Sequence, residues 1–273
     1  MLRRLYRAHL RETPVGAFVR GVVRLRQKAP YLPYRANYVR RYYWQRIKPA
    51  LRWLIDSDEM ANFTYDISER SKTHIANALA VALDRPVSEI FEYFSELQLP
   101  KVGRRICWYA AVRALKPRLV VETGVDHGLG AITICAGLLK NRAEGHSGHY
   151  LGTDINPAAG GLFTYPYTEV GRIAYGDSIE TLSGLPELDI FINDSDHSAI
   201  YEMREYETIK LAPGALVIGD NAHGTDSLHE WSLRAGRSFL CVREEPIDHW
   251  YLGAAVALSF SRNNKLRPMV RKE

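Results

Sequence analysis

Residues 119–134 read Leu-Val-Val-Glu-Thr-Gly-Val-Asp-His-Gly-Leu-Gly-Ala-Ile-Thr-Ile. A short apolar run ends in an acid, a glycine-punctuated turn follows, and a helical pattern of apolar residues resumes. That order spells strand, tight loop and helix start. Gly124, Gly128 and Gly130 leave bare backbone at the head of the helix, where a ligand can lie against it. The spacing is G-x-x-x-G-x-G rather than G-x-G-x-x-G, which argues against a nicotinamide oxidoreductase.

Reading outward from this turn, strand and helix patterns alternate. Strands are predicted at 119–123, 149–153, 173–177, 188–193 and 215–219, with helices at 129–140 and 199–210. Residues 156–167, with Pro157, Gly160, Gly161 and Pro166, read as a long loop and a candidate lid. Two closing strands, 238–243 and 252–260, suit a hairpin. Elements in this order build a mostly parallel sheet with helices on both faces. Upstream, Asp66-Ile-Ser-Glu69 reads as a capping box for a helix carrying Ile75, Leu79 and Leu83. Asp84-Arg-Pro86 ends that helix. Further helices at 88–97 and 102–115 lead through Lys116-Pro117 into the first strand. The predicted organisation is a basic, aromatic-rich arm at 1–60, a helical cap at 61–118, the sheet domain at 119–262 and a basic tail at 263–273.

Charge is unevenly spread. Residues 1–53 hold 14 Lys and Arg against a single acid, Glu12, whereas the remainder holds 22 basic and 30 acidic residues. In the arm, Tyr31, Tyr34, Tyr38 and Tyr42 fall at helical spacing among arginines, broken by prolines. Such a segment suits an anionic membrane surface, a lipid-linked substrate, an acidic partner or a second subunit. Nucleic acid is disfavoured because no recognised module is present. Cys107, Cys135 and Cys241 lack metal spacing and suit buried thiols in a reducing compartment. No apolar run is long enough to span a bilayer and no signal-peptide core is present, so a location in the cytoplasm or at a membrane periphery facing it is expected.

Two acidic clusters carry the candidate chemistry. The first is Asp154, one position after the second strand, where a carboxylate can accept hydrogen bonds from two ribose hydroxyls. The second joins Asn193-Asp194-Ser-Asp196-His197 at the end of the fourth strand to Asp220-Asn221 at the end of the fifth. Parallel neighbours lie about 4.8 Å apart and open on one edge, so Asp194 and Asp220 would converge. Two facing carboxylates repel, and a divalent cation removes the repulsion. With Asn221 as a third oxygen, the set suits Mg²⁺ or Mn²⁺. Asp196 is the rival to Asp194, which lies nearer the strand end.

Glu122-Thr-Gly124-Val-Asp-His-Gly128-Leu-Gly130, together with these acids, resembles the class I S-adenosylmethionine-dependent methyltransferases. It looks most like the metal-dependent O-methyltransferase branch that includes catechol, caffeoyl-CoA and macrolide-sugar enzymes. The resemblance covers about 102–262 and leaves 1–101 unexplained. It implies a seven-stranded, mostly parallel sheet with one reversed strand, and S-adenosylmethionine as cofactor. Glu122, Gly124, Gly128, Gly130, Asp154 and Asp177 would line the cofactor, with Asp177 near the adenine. Asp126 and His127 would touch its methionine part. Asp194, Asp220 and Asn221 match the family's metal ligands residue by residue. His197 stands where catechol-type relatives carry a Lys and sugar-type relatives a His, so it is the expected general base. A sugar or another polyhydroxylated glycan or small-molecule acceptor is expected, with Asp248, His249, Trp250 and Tyr251 shaping its pocket and His223 as a further polar contact or a loop residue. Two alternatives stay open: a metal-independent methyltransferase in which the acids cap helices, and a non-catalytic S-adenosylmethionine-binding module.

Overall fold

The structure, a computed structural model, describes residues 64–247, 249 and 253–261. The arm at 1–60, the tail at 263–273 and Asp248, Trp250 and Tyr251 lie outside the described residues. The chain divides into two units, Met1–Ser68 with Glu245–Gly253, and Glu69–Glu244 with Ala254–Glu273. In the smaller one, Asp66–Ile67 pairs antiparallel with Pro246–Ile247. This corrects the capping box expected at Asp66–Glu69. Asp66 belongs to a strand whose partner is distant in sequence, and the helix opens only at Glu69.

The larger unit begins with α1 (Glu69–Leu83), α2 (Val87–Glu96) and α3 (Ile106–Leu115). A 3-10 turn at Gly103–Arg105 precedes α3. Then follow β1 (Leu119–Thr123), α4 (Leu129–Ala143), β2 (His149–Asp154) and β3 (Gly171–Tyr175). After them come α5 (Ser178–Ser183), β4 (Leu188–Asn193), α6 (Ala199–Thr208) and β5 (Leu211–Gly219). The unit closes with α7 (Ser227–Arg234), β6 (Ser238–Arg243) and β7 (Ala255–Phe260).

The seven strands lie in the order β3-β2-β1-β4-β5-β7-β6. β3, β2, β1, β4 and β5 are parallel, and β7 runs antiparallel to both β5 and β6. The expected sheet with one reversed strand is therefore present. Its central strands are buried on both faces, with Val120, Val121, Ile190, Phe191 and Ile192 fully covered. That is why they read as unbroken apolar runs and not as an alternation. One face packs Val121, Leu151, Phe191 and Val217 against Tyr206 of α6 and Leu228 of α7. Helix α3, buried from Ile106 to Ala114, packs on α4. It ends at Lys116 in a left-handed conformation (φ 49°), just before Pro117.

Three sequence readings shift. β3 opens at Gly171, two residues earlier than predicted, and β5 at Leu211 with the Ala212-Pro-Gly214 stretch inside it. The short helices α5 and α7 carry too few turns to show a period. The predicted loop after β2 closes in a 3-10 turn at Tyr167–Glu169. Among the described residues no helix is long and apolar enough to cross a membrane. The strand order reverses between β1 and β4, and at such a switch point the carboxyl ends of parallel strands open a crevice.

Candidate functional site

The tips of β1, β4 and β5 are stapled together by main-chain bonds. Asp194 N donates to the Thr123 carbonyl at 2.9 Å, and Asp220 N donates to the Asn193 carbonyl at 2.8 Å. Gly124 sits at φ 81°, a conformation that disfavours any residue with a Cβ. A Cβ there would also collide with the carbonyl of Asp194 and stand 2.8 Å from Ser195 Cα. The glycine turn and the acidic tip of β4 are therefore in direct backbone contact. Gly124→Ala is expected to destabilise the fold by about 1–3 kcal/mol through overpacking and a strained φ. Urea unfolding reads this, and an unchanged midpoint would mean the turn and tip do not touch.

Glu122 is buried beside Gly130 at the end of β1. The residue is 1% exposed and accepts a hydrogen bond of 2.5 Å from Tyr150 Oη. A Cβ on Gly130 would strike Glu122 and Trp108, so helix α4 can start here only because position 130 has no side chain. Loss of hydration pushes the Glu122 carboxyl up to about 8, against the lowering effect of Tyr150. Gly128 caps α4 at φ 94°, beneath Gly160 and Phe163.

Asp154 ties the turn to β2. One of its oxygens accepts from Asp126 N at 2.9 Å and the other from Asn156 N at 2.8 Å. The loop that follows folds back on the turn: Gly160 N donates to the Asp126 carbonyl at 2.6 Å and Leu162 N to the His127 carbonyl at 2.9 Å. Asp126 and His127 thus meet this loop through their backbones, with largely exposed side chains. Asp177 caps α5 by accepting from Ile179 N at 2.7 Å, and it also accepts from Tyr201 Oη at 3.2 Å.

The second cluster converges. Asp194, His197 and Asp220 offer ligand atoms that all lie within 4.8 Å of one another. Asp196 is not part of it; exposed, it accepts from Ser198 N at 2.9 Å at the start of α6. His197 Nε2 lies 3.6 Å from Asp194 Oδ1 and 2.9 Å from Asn221 Nδ2, and Nδ1 lies 3.3 Å from Glu202 Oε1. Asn221, at φ 52°, also donates Nδ2 to Asp220 at 3.1 Å. It therefore turns its amide nitrogen to the cluster. Rotation about the last side-chain bond presents the oxygen instead. His223 Nδ1 accepts from Ala255 N at 3.2 Å and so fastens the loop after β5 to β7. His249 belongs to the smaller unit, 5.3 Å from the ring of Tyr65.

Four participants escaped the sequence reading. Arg104, 4% exposed, places Nε and Nη2 on the two oxygens of Asp220. Its Nη1 donates to Glu244 Oε1 at 2.9 Å, and its backbone N to Glu244 Oε2 at 3.2 Å. Arg105 reaches Asp194 at 3.6 Å while stacking 5.1 Å above Trp108. Glu202, 3% exposed, holds His197 from behind and accepts from Thr225 Oγ1. The available signal was the Gly103-Arg-Arg-Ile106 sequence at the head of a helix that is apolar but for Arg113. Arginines there must find buried carboxylates.

These contacts set the charges. Burial opposes ionisation of Asp220, but the Arg104 guanidinium outweighs it and holds the carboxyl well below the usual carboxylate range. Asp194 moves upward through burial and the facing Asp220. For His197, burial works against the charged form, yet Asp194 and Glu202 prevail and lift it to about 10. Among the side chains in mutual contact, Asp194, Asp220, Glu202 and Glu244 face Arg104 and Arg105. Four carboxylates against two guanidiniums and the charged His197 leave one negative charge uncompensated. A carboxylate oxygen bonded to a guanidinium keeps a further lone pair. The residues therefore fit a hard divalent cation held by Asp194 and Asp220.

Residues 121–222 match a family profile described as a methyltransferase domain. No curated protein sequence matches the chain. Among solved structures, it is similar to the SAH-bound methyltransferase PaMTH1 of Podospora anserina, at 15% identity over 67% of this chain and 88% of that one (TM-score 0.45). It is also similar to the O-methyltransferase TomG of Streptomyces achromogenes, in complex with SAM, at 14% identity over 73% and 92% (TM-score 0.46). A third, the O-methyltransferase of Bacillus cereus in complex with SAH, is 14% identical over 71% and 99% (TM-score 0.45).

Proposed function

We propose that the chain, whose residues 121–222 match a methyltransferase domain, is a class I S-adenosylmethionine-dependent methyltransferase that moves the cofactor's methyl group to a hydroxyl oxygen of a sugar or another polyhydroxylated acceptor. The observation that supports this reading best is the convergence of Asp194, His197 and Asp220 on a tip that rests against the glycine turn. In the displacement an acceptor oxygen forms a bond to the methyl carbon, the carbon–sulfur bond breaks, and the electron pair stays on sulfur. The sulfonium needs no acid to leave, so the protein's task is alignment and removal of one proton.

Gly124–Gly130 would seat the cofactor's amino-acid end, Asp154 its ribose and the Asp177 region its adenine. Asp194 and Asp220, with Asn221, would hold Mg²⁺ or Mn²⁺, which supplies Lewis acidity that lowers the pKa of the acceptor hydroxyl. His197 takes the proton at Nε2, while Glu202 on Nδ1 fixes the ring. His197 is charged as long as both Asp194 and Glu202 face it. With Asp194 committed to a cation, the neutral imidazole that proton removal requires becomes accessible. The basic arm at 1–53 would bring the domain to an anionic surface, a glycolipid acceptor or a second copy of the chain.

A second reading has its own support. The Arg104 fork already neutralises Asp220, so Arg104 and Arg105 could supply the positive charge without a metal. The test is transfer of labelled methyl from S-adenosylmethionine to a panel of sugar and catechol hydroxyls, with Mg²⁺ and with chelator. The expected result is transfer to a sugar that falls at least ~100-fold on chelation, the scale of losing one charge-stabilising group. Full activity in chelator would favour the arginine reading. Binding of S-adenosylhomocysteine with no turnover on any acceptor would sink both.

A further inference from the structure

Glu205 takes no part in the cation cluster, yet it is fully buried on α6 and saturated with donors. Ser178 Oγ and Ser195 Oγ (2.8 Å) bond to one oxygen, Oε1. Thr123 Oγ1 (3.1 Å) and Asn193 Nδ2 bond to the other. An ionised carboxylate only accepts, and four donors satisfy it.

These donors come from separate stretches of chain that end at the same edge of the sheet. Thr123 closes β1 and immediately precedes Gly124. Ser178 opens α5 and immediately follows Asp177, whose carboxylate also accepts from Tyr201, itself 3.0 Å from Ser178 Oγ. Asn193 closes β4, and Ser195 immediately follows Asp194. The Asn193 side chain is fixed further by Tyr206 Oη at 3.1 Å. One carboxylate therefore holds the neighbours of the glycine turn, of the adenine-side acid and of the cation ligand. A buried charge is a poor stabiliser compared with an apolar residue of the same size. Its use here points to a demand that packing alone does not meet: three stretches kept in mutual register.

We propose that Glu205 is a positioning residue that couples the cofactor seat to the cation tip, so that filling one tightens the other. The proposal rests on the functional reading above. A donor network shared by two sites transmits order, because restraint imposed at Thr123 or Ser178 lowers the cost of ordering Asn193 and Ser195. Linkage then requires the effect to be mutual.

The experiment uses the full chain and two probes, S-adenosylhomocysteine and MnCl₂. Calorimetry gives the Mn²⁺ affinity with and without the nucleoside, and the nucleoside affinity with and without Mn²⁺. In the natural protein each probe is expected to tighten the other by at least ~5-fold, the lower end of measured couplings. Glu205→Gln keeps volume but replaces one accepting oxygen with a donor; the coupling should fall to within ~2-fold of unity, beyond any loss of melting temperature. If that variant does not fold, Ser178→Ala and Ser195→Ala each remove one spoke and should each reduce the coupling. Coupling unchanged in all three variants overturns the proposal, as does independent binding in the natural protein. Failure of the natural protein to bind the nucleoside at all overturns the functional reading and the proposal with it.

Discussion

Arg104→Met should lower the free energy of unfolding by about 3–5 kcal/mol, the scale for stripping one partner from a buried ion network. The guanidinium lies between Asp220 and Glu244, and all three side chains are almost wholly out of water. Methionine fills the space but removes the charge that Asp220 and Glu244 share. For a chain of this size the loss corresponds to a fall in melting temperature on the order of 10 °C. The sign of its pH dependence follows from Asp220, whose carboxyl is held low in the folded chain by Arg104. A depressed carboxylate contributes stability that is present above its unfolded pKa of about 4 and is lost as pH falls through the folded value. The difference between natural protein and variant should therefore be widest near neutral pH and shrink under acid. Guanidinium melts at two pH values read both features. A variant within 1 kcal/mol of the natural protein at neutral pH would mean that the fork is not formed.

Asp194→Asn is the substitution expected to hurt turnover most, by about 10²–10³-fold, with nucleoside affinity within a few-fold. Asparagine keeps the shape of the side chain but removes the negative charge that a cation needs and that pairs with His197 and Arg105. The glycine turn meets position 194 through main-chain atoms only, so the cofactor seat should survive. Asp220 is the less clean target, because changing it also removes two of the bonds that hold Arg104. Asp196→Asn serves as the control: its carboxylate starts α6, and kcat should hardly change. Turnover retained in Asp194→Asn, or nucleoside binding lost with it, would contradict the division of roles proposed for the two clusters.

Most of the sheet was legible because its central strands are short, apolar and punctuated by glycine or proline. The predicted bounds 119–123 and 188–193 match the observed β1 and β4. So was the meeting of Asp194 and Asp220, since parallel strands in register force their carboxyl ends together. What local pattern could not supply were partners far along the chain. Asp66 reads as a cap and becomes a strand residue, because Ile247 lies opposite it. Arg104 reads as the basic edge of a helix and becomes the counter-charge of Asp220 and Glu244, 116 and 140 positions away. Glu202 and Glu205 look like the polar face of α6, yet both are among its most buried residues. For Arg104, Glu202 and Glu205 hydrophilic character suggests a place outside, and a partner supplied by tertiary packing holds each of them inside.

Contact between Gly124 and residues 194–195 runs through backbone atoms, and this bears on how such a protein can diversify. Exchange of the side chain at position 194, in evolution or by an engineer, leaves this main-chain contact in place. Its neighbours Asn193 and Ser195 are less free, because their side chains are tied to Glu205. The position that tolerates no such freedom is 124 itself, where a single added methyl group would strike the backbone of residues 194 and 195.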